Sequence, residues 1–285
     1  MTEIAFLGLG QMGGPMASRL LDAGHDLVLW NRTRDKAEAL ARRGGRVAST
    51  PAAAAADVEV VITMLADPDA LEQVLFGPGG VSEGLRRGSL FIDMSTVGPD
   101  AIGSAAARLP DGVEVVDAPV RGSVPQATEG TLGILVGAAD GAFERARPLL
   151  EVLGSVHHVG EPGSGAAAKL VVNSALGAVI TAFGEALAIG RSLGLDRGTL
   201  LDVLAASAVG AVAEGKRSNV ETSSYAPRFK LGLALKDLRL VTDAADRTGV
   251  ELKVAPACRA WFEEATRAGS GDLDYAAVVE TILSP

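Results

Sequence analysis

The 285-residue sequence is poor in the residues that most often carry chemistry, with one cysteine, Cys258, three histidines and 4% aromatics. A lone thiol cannot close an intrachain disulfide. Without a second cysteine or an H-E-x-x-H pattern there is also no zinc ligand set, so no metal is expected. Low cysteine usage suits a reducing compartment, and the cytoplasm is the expected location. Basic clusters are missing too. Against 35 acidic side chains stand 26 basic ones, for a formal charge of −9, which repels a phosphate backbone and makes nucleic acid an unexpected partner. No basic leader precedes the first apolar run, Ile4–Leu7, and that run is too short for a signal-peptide core. The longest uncharged stretch, Leu170–Gly184, falls short of the ~20 apolar residues of a spanning helix. It is expected to be a buried core helix, with no membrane partner.

What is present is a long alternation. Short apolar runs at Ile4–Leu7, Asp26–Trp30, Val58–Leu65, Ser89–Asp93, Val113–Ala118, Leu132–Val136 and Val156–Val159 read as strands, with helical patterns such as Met16–Leu21 and Lys36–Arg43 between the early ones. Strand and helix in alternation imply parallel crossovers and an α/β, doubly wound sheet. Thr50-Pro51 ahead of Ala52–Ala56 supplies an N-cap hydroxyl and a first-turn proline, so the alanine run reads as helix. After Gly160–Gly163 the strands stop and helical periodicity continues. Two domains follow, 1–161 and 162–285, the second opening with a long helix from about Gly165 to Leu193. Further helices are expected near Asp196–Ala206, Leu231–Thr248, Val254–Arg267 and Asp274–Leu283.

Gly8-Leu9-Gly10-Gln11-Met12-Gly13 fits G-x-G-x-x-G directly after a strand and at the start of a helix, the context in which that spacing binds a dinucleotide. Gly8 permits the tight turn, Gly10 lets the backbone approach a pyrophosphate, and Gly13 lets helix and strand pack closely. The helix N-terminus turns free N–H groups toward the phosphates. At the end of the second strand, where a carboxylate would select a ribose 2′-hydroxyl, the chain has Asn31-Arg32-Thr33. Arg32 offers a planar donor fork for a 2′-phosphate. NADP(H) is therefore expected over NAD(H), with NAD(H) as the alternative.

Hydride transfer to or from an alcohol needs a proton carrier, and histidine is the commonest choice. His25 lies in a turn, and His157 and His158 alternate along a strand, so none sits in an acid–base dyad. The second domain instead opens with Gly163-x-Gly165-x3-Lys169-x3-Asn173, a lone lysine in an apolar helix. Lysine is rarely buried without a partner. Asn173, four residues on, shares its helical face, so an ammonium and an amide can converge on one ligand. The competing reading of Lys169 is a side chain that snorkels from a helix start.

Taken in order, Ala5–Ala17, Asp117-Ala118-Pro119-Val120, Gly130-Thr131-Leu132, the Lys169/Asn173 helix start and Lys236-Asp237-Leu238 resemble the β-hydroxyacid dehydrogenase family over essentially the whole chain. The resemblance implies an N-terminal Rossmann domain, an all-helical C-terminal domain joined by a long helix, and an active site in the cleft between them. It implies that Lys169 is the catalytic acid/base and Asn173 a substrate ligand. It also implies that Met64, Leu65, Ser95 and Thr96 line the nicotinamide side of the cofactor, that Lys236 reaches toward the cofactor, that Asp237 is structural, and that Phe229 lines the pocket or fills the core.

The chain departs from the family's D-A-P-V-S-G-G at Arg121-Gly122-Ser123, and Ser174 replaces a second asparagine. Arg121 either grips a substrate carboxylate or turns outward and leaves Ser123 and Lys236 to hold it. The expected partner is a small carboxylic acid or aldehyde, and the expected assembly is a homodimer or homotetramer. Imine reduction and non-catalytic dinucleotide binding are the competing functions. Imine reductases of related fold usually lack the lysine, and non-catalytic relatives lose it. A 6-phosphogluconate dehydrogenase would need a larger helical domain than 161–285. Arg32, Arg121, Lys169 and Lys236 are expected to form one basic cleft for an anionic cofactor and substrate.

Overall fold

The computed structural model describes residues 2–284, which fall into two compact units, Met1–Lys169 and Leu170–Pro285. The first unit contains β1 (Glu3–Leu7), β2 (Asp26–Trp30), β3 (Arg46–Val47), β4 (Val60–Thr63), β5 (Leu90–Asp93), β6 (Glu114–Asp117), β7 (Val120–Arg121), β8 (Leu132–Gly137) and β9 (Gly154–Gly160). They form one sheet in the order β3-β2-β1-β4-β5-β6-β8-β7, with β9 beside β8.

From β3 to β6 every pairing is parallel. β8 then runs antiparallel to both β6 and β7, a reversal that the alternation of strand and helix does not announce. Pro119 breaks the strand between β6 and β7, and Gly122 (φ +121) and Gly130 (φ +72) bend the chain back on itself, so no crossover intervenes. β3 and β7 have two residues each, too few for any periodicity to reveal.

β4 and β5 are wholly buried, as strands covered on both faces should be. Side chains alternate faces with period two. Phe6, Ile62 and Ile92 pack with Met16 and Leu20 on one side, while Leu7, Val61 and Phe91 pack with Leu71 and Ile102 on the other. The Thr50 hydroxyl does cap its helix, accepting from Ala53 N–H at 3.0 Å. The strand ends are aligned, with Trp30, Leu7, Thr63, Asp93 and Asp117 neighbours in register. The loops that follow them leave the sheet at one carboxyl edge, where open α/β sheets bind ligands.

The long helix, Ser164–Ser192, begins in the first unit and continues into the second. In the second unit Ile180 and Phe183 are fully buried with Leu235, Phe262 and Val278. Leu170–Gly184, expected to be a buried core helix, is buried along one face only, since Val171 is 71% exposed. By length and composition this is the one helix among the described residues apolar enough to cross a membrane. Gly177 and Gly184 let Leu238 and Ile282 approach so closely that an added Cβ would stand 2.7 Å from either side chain. Helices follow at Arg197–Ala205, Gly210–Thr222, Leu231–Thr248, Val254–Ala265 and Val278–Leu283. Gly210–Thr222 lies outside the helices expected from sequence, since its Gly210, Gly215 and polar stretch Glu214–Asn219 blur the apolar stripe.

Candidate active site

The three glycines of the first loop have different constraints. A Cβ on Gly8 (φ +99) would lie 2.3 Å from the Met64 carbonyl oxygen, and one on Gly13 would lie 1.9 Å from the Gly8 carbonyl oxygen. A Cβ on Gly10 would meet nothing within 4 Å. The chain's own packing therefore requires Gly8 and Gly13, whereas Gly10 leaves open space over the backbone. The helix behind it, Gly13–Asp22, has no acidic residue in its first turn, so its N–H groups keep their positive field. This arrangement fits a dinucleotide pyrophosphate. Leu9 and Met12 pack into the core or against it, and Gln11 is exposed.

Asn31 braces this loop. Its Oδ1 accepts from Leu9 N–H at 2.8 Å and its Nδ2 donates to the Thr33 carbonyl at 2.8 Å. Thr33 occupies the N-cap of Arg34–Ala41, and its hydroxyl makes no cap hydrogen bond. Arg32 is exposed, with no hydrogen bond or ion pair among the described residues.

At the ends of β4 and β5, Asp93 Oδ1 accepts from Thr63 Oγ1 and from Ser95 Oγ, each at 2.7 Å. Ser95 Oγ in turn accepts from Leu65 N–H at 2.8 Å. The Ser95 hydroxyl is thus engaged within the fold, where it sets the Met64–Leu65 segment that packs on Gly8. Burial pushes the Asp93 carboxyl up to about 6, against the pull of its Thr63 and Ser95 hydrogen bonds and with a small push from Asp117. Thr96 is partly exposed beside it.

Asp117, fully buried at the end of β6, accepts from Gly163 N–H through Oδ1 and from Ala166 N–H through Oδ2, both at 2.6 Å. Desolvation raises its pKa, although these backbone bonds oppose the shift. The residues it holds are the first turn of the helix that carries half-buried Lys169 and, four residues on, buried Asn173. Past Ala118-Pro119, Arg121 on β7 is exposed and its guanidinium lies across Gly133 of β8, where an added Cβ would stand 3.0 Å from it. Arg121 has no hydrogen bond or ion pair among the described residues. Gly122 follows, and Ser123 N-caps Val124–Glu129 in a capping box with Gln126, whose Oε1 lies 2.9 Å from the Ser123 nitrogen.

In the second unit Asn173 Nδ2 donates to Asp237 Oδ2 at 2.5 Å, and Lys236 Nζ stands 2.6 Å from Asp237 Oδ1. Asn173 and Asp237 line a small cleft with Gly177, Phe229, Phe262 and Tyr275. The Phe229 and Tyr275 rings are 5.8 Å apart. Buried Asp274 holds this wall in place by accepting from the Phe229 backbone N–H and pairing with Lys216 at 2.7 Å.

The histidines stand apart from these groups. His158 stacks on Phe143 and contacts the Ala138 carbonyl at 2.8 Å, His157 is exposed, and burial lowers the pKa of His25. Cys258 is free and buried, with its thiol pKa pushed up by that burial. No group of His, Cys, Asp and Glu suited to a metal occurs among the described residues. Sequence reasoning misses Asp93, although an acidic residue two positions before Ser95, at a strand's last position, is a legible signal.

Residues 3–160 match the family model described as the NAD binding domain of 6-phosphogluconate dehydrogenase. Residues 163–282 match the one described as NAD-binding of NADP-dependent 3-hydroxyisobutyrate dehydrogenase. Glyoxylate/succinic semialdehyde reductase 1 of Arabidopsis thaliana is 38% identical over 98% of each chain. The 3-sulfolactaldehyde reductase of Escherichia coli is 36% identical over 99% of this chain and 96% of that one. Among solved structures, Mycobacterium tuberculosis 3-hydroxyisobutyrate dehydrogenase with L-serine matches with a TM-score of 0.89 and 32% identity, covering 100% of both chains.

Proposed function

The chain belongs to the β-hydroxyacid dehydrogenase family of NAD(P)-dependent oxidoreductases, and from that premise we propose that it interconverts a small 3-hydroxyacid and its semialdehyde or keto acid, with NADP(H) preferred over NAD(H). The names of its relatives, a glyoxylate/succinic semialdehyde reductase and a 3-sulfolactaldehyde reductase, support a short acidic aldehyde as the substrate class. Its place is the cytoplasm, and its working form a homodimer or homotetramer.

A bound nicotinamide dinucleotide supplies the hydride donor or acceptor. The open face of Gly10 and the N-terminus of Gly13–Asp22 would receive its pyrophosphate, Arg32 would bind the 2′-phosphate, the Met64–Leu65 and Ser95–Thr96 segments would line its nicotinamide side, and the family resemblance assigns Lys236 to the cofactor as well. Lys169 Nζ gives a proton to the carbonyl oxygen during reduction and takes the hydroxyl proton during oxidation. Asn173 orients the substrate from the next helical turn. Arg121 grips the acid group with its fork, and Gly122 and Ser123 stand beside it. A carboxylate in place of Lys169 would serve this chemistry badly, since the acid–base group must be a proton donor to a developing alkoxide beside an anionic substrate.

The observation that carries the reading is the pairing of Lys169 and Asn173 one turn apart on a helix whose start is held by Asp117. The test is spectrophotometric, following NADPH oxidation with small semialdehydes and keto acids and NADP reduction with hydroxyacids. Lys169→Ala should retain cofactor binding and lose about 10²–10⁴-fold in kcat. A near-wild-type rate rejects the lysine mechanism, and equal use of NADH rejects the cofactor preference.

A further inference from the structure

A helix leaves its first N–H groups without partners, and a side chain at the helix's own N-cap usually satisfies them. Here the acceptor comes from elsewhere. Asp117 is the last residue of β6 and reaches Gly163 N–H across 46 positions of sequence and Ala166 N–H across 49. A local cap stabilises a helix wherever it lies, but a cap on a sheet strand also fixes the helix start relative to that sheet.

The packing around this clamp leaves no slack. A Cβ on Gly137 of β8 would stand 2.4 Å from Asp117 Oδ1 and 2.8 Å from Gly165 N, and a Cβ on Gly165 would stand 2.4 Å from the Leu135 carbonyl oxygen and 2.7 Å from that of Asp117. Two glycines are therefore needed for β6, β8 and the helix start to meet. Gly163 (φ +97) turns the chain into the clamp. Lys169 follows Ala166 by three residues of unbroken helix, a rise of about 4.5 Å with no hinge between.

We propose that Asp117 is the positioning residue for Lys169, fixing through Gly163 and Ala166 where the ammonium stands relative to the carboxyl edge of the sheet. This rests on the reading of Lys169 as the proton carrier. An asparagine in its place has one acceptor oxygen and an NH2 that cannot accept the second N–H, so the helix start must shift or lose a partner.

The test uses the full-length enzyme and the variants Asp117→Asn, Gly165→Ala and Lys169→Ala. Amide exchange across 161–170 reads the clamp, NADPH binding reads the glycine loop, and kcat and KM across pH read Lys169. In Asp117→Asn the Gly163–Ala166 amides should lose protection while NADPH affinity stays within about twofold. In the same variant kcat should fall about tenfold or more, and the limb of the kcat–pH profile that Lys169 sets should move. Gly165→Ala keeps the carboxylate but displaces the helix start, and should reproduce the loss in kcat; it decides the matter if Asp117→Asn does not fold. Wild-type kcat and pH profile in a folded Asp117→Asn or Gly165→Ala enzyme would overturn the proposal alone, provided Lys169→Ala is inactive. An active Lys169→Ala would overturn both this proposal and the mechanism beneath it.

Discussion

Asn173 and Asp237 are joined by a hydrogen bond of 2.5 Å between two buried side chains, and the other carboxylate oxygen of Asp237 lies 2.6 Å from the Lys236 ammonium. One carboxylate therefore fixes the amide that is proposed to hold substrate and the cation proposed to border the cofactor. Asp237→Ala takes the acceptor from the buried Asn173 amide and removes the carboxylate beside Lys236. The expected cost is about 3 kcal/mol in urea unfolding, with a raised KM for the aldehyde. Asp237→Asn keeps an acceptor for Asn173 but turns an NH2 toward the Lys236 ammonium in place of a carboxylate oxygen, so it loses the ion pair, keeps the amide bond and should fall between alanine and wild type. Equal stability of all three would remove the carboxylate's structural role.

Asp237 also shows what the sequence made legible. Its neighbours identified Lys236-Asp237-Leu238 as a motif, but its partner Asn173 lies 64 positions away, a distance that periodicity cannot bridge. The same holds for Asp117, which was visible as part of Asp117-Ala118-Pro119-Val120 but not as the clamp on a helix start 46 residues later. Strands with four or more apolar residues could be read because burial on both faces selects a continuous run, and Thr50-Pro51 because a cap is a local device. Two-residue β3 and β7 carry no such pattern. The reversal of β8 depended on positive φ at Gly122 and Gly130, a backbone property that 35 glycines leave ambiguous in sequence.

Asp93 makes stability depend on pH in a stated direction. Its folded pKa is raised from 3.8 to about 6, chiefly by burial. The proton is therefore held more tightly in the folded than in the unfolded chain. Asp93's favourable contribution is present below pH 3.8 and is lost as pH rises through about 6. The swing is about 3 kcal/mol. An asparagine at this position would keep an oxygen for Thr63 and Ser95 while removing the charge, so Asp93→Asn should gain on wild type at pH 8 and lose that advantage toward pH 4. Denaturant unfolding at both pH values measures it, and a pH-independent difference would count against a buried, titrating Asp93. Asp117, raised in the same direction by its own burial, is present in both proteins, and its coupling to Asp93 is the smallest of the causes acting on Asp93.

Arg32 stands exposed after β2 without an ion-pair partner among the described residues, so its replacement disturbs no packing. Arg32→Ala should leave thermal stability unchanged and raise the KM for NADPH about tenfold or more, from the loss of about 1.5–3 kcal/mol of charge-assisted hydrogen bonding. The KM for NADH should hardly move. Equal losses with both cofactors would show that Arg32 does not read the 2′-phosphate.

The glycine loop offers a cleaner separation of fold from ligand. Gly10 has nothing within 4 Å of an added Cβ, whereas Gly13 would place one 1.9 Å from the Gly8 carbonyl oxygen. Gly10→Ala should therefore melt with the wild type yet bind dinucleotide much more weakly, because the methyl occupies space that the pyrophosphate needs. Gly13→Ala must push the Gly13–Asp22 helix away from β1 and should lose about 1–3 kcal/mol as an overpacked core position, before any cofactor is added. Calorimetry of the free proteins and titration with NADPH distinguish the two effects. If Gly10→Ala bound NADPH as tightly as the wild type, the open face above Gly10 would not be where the phosphates lie.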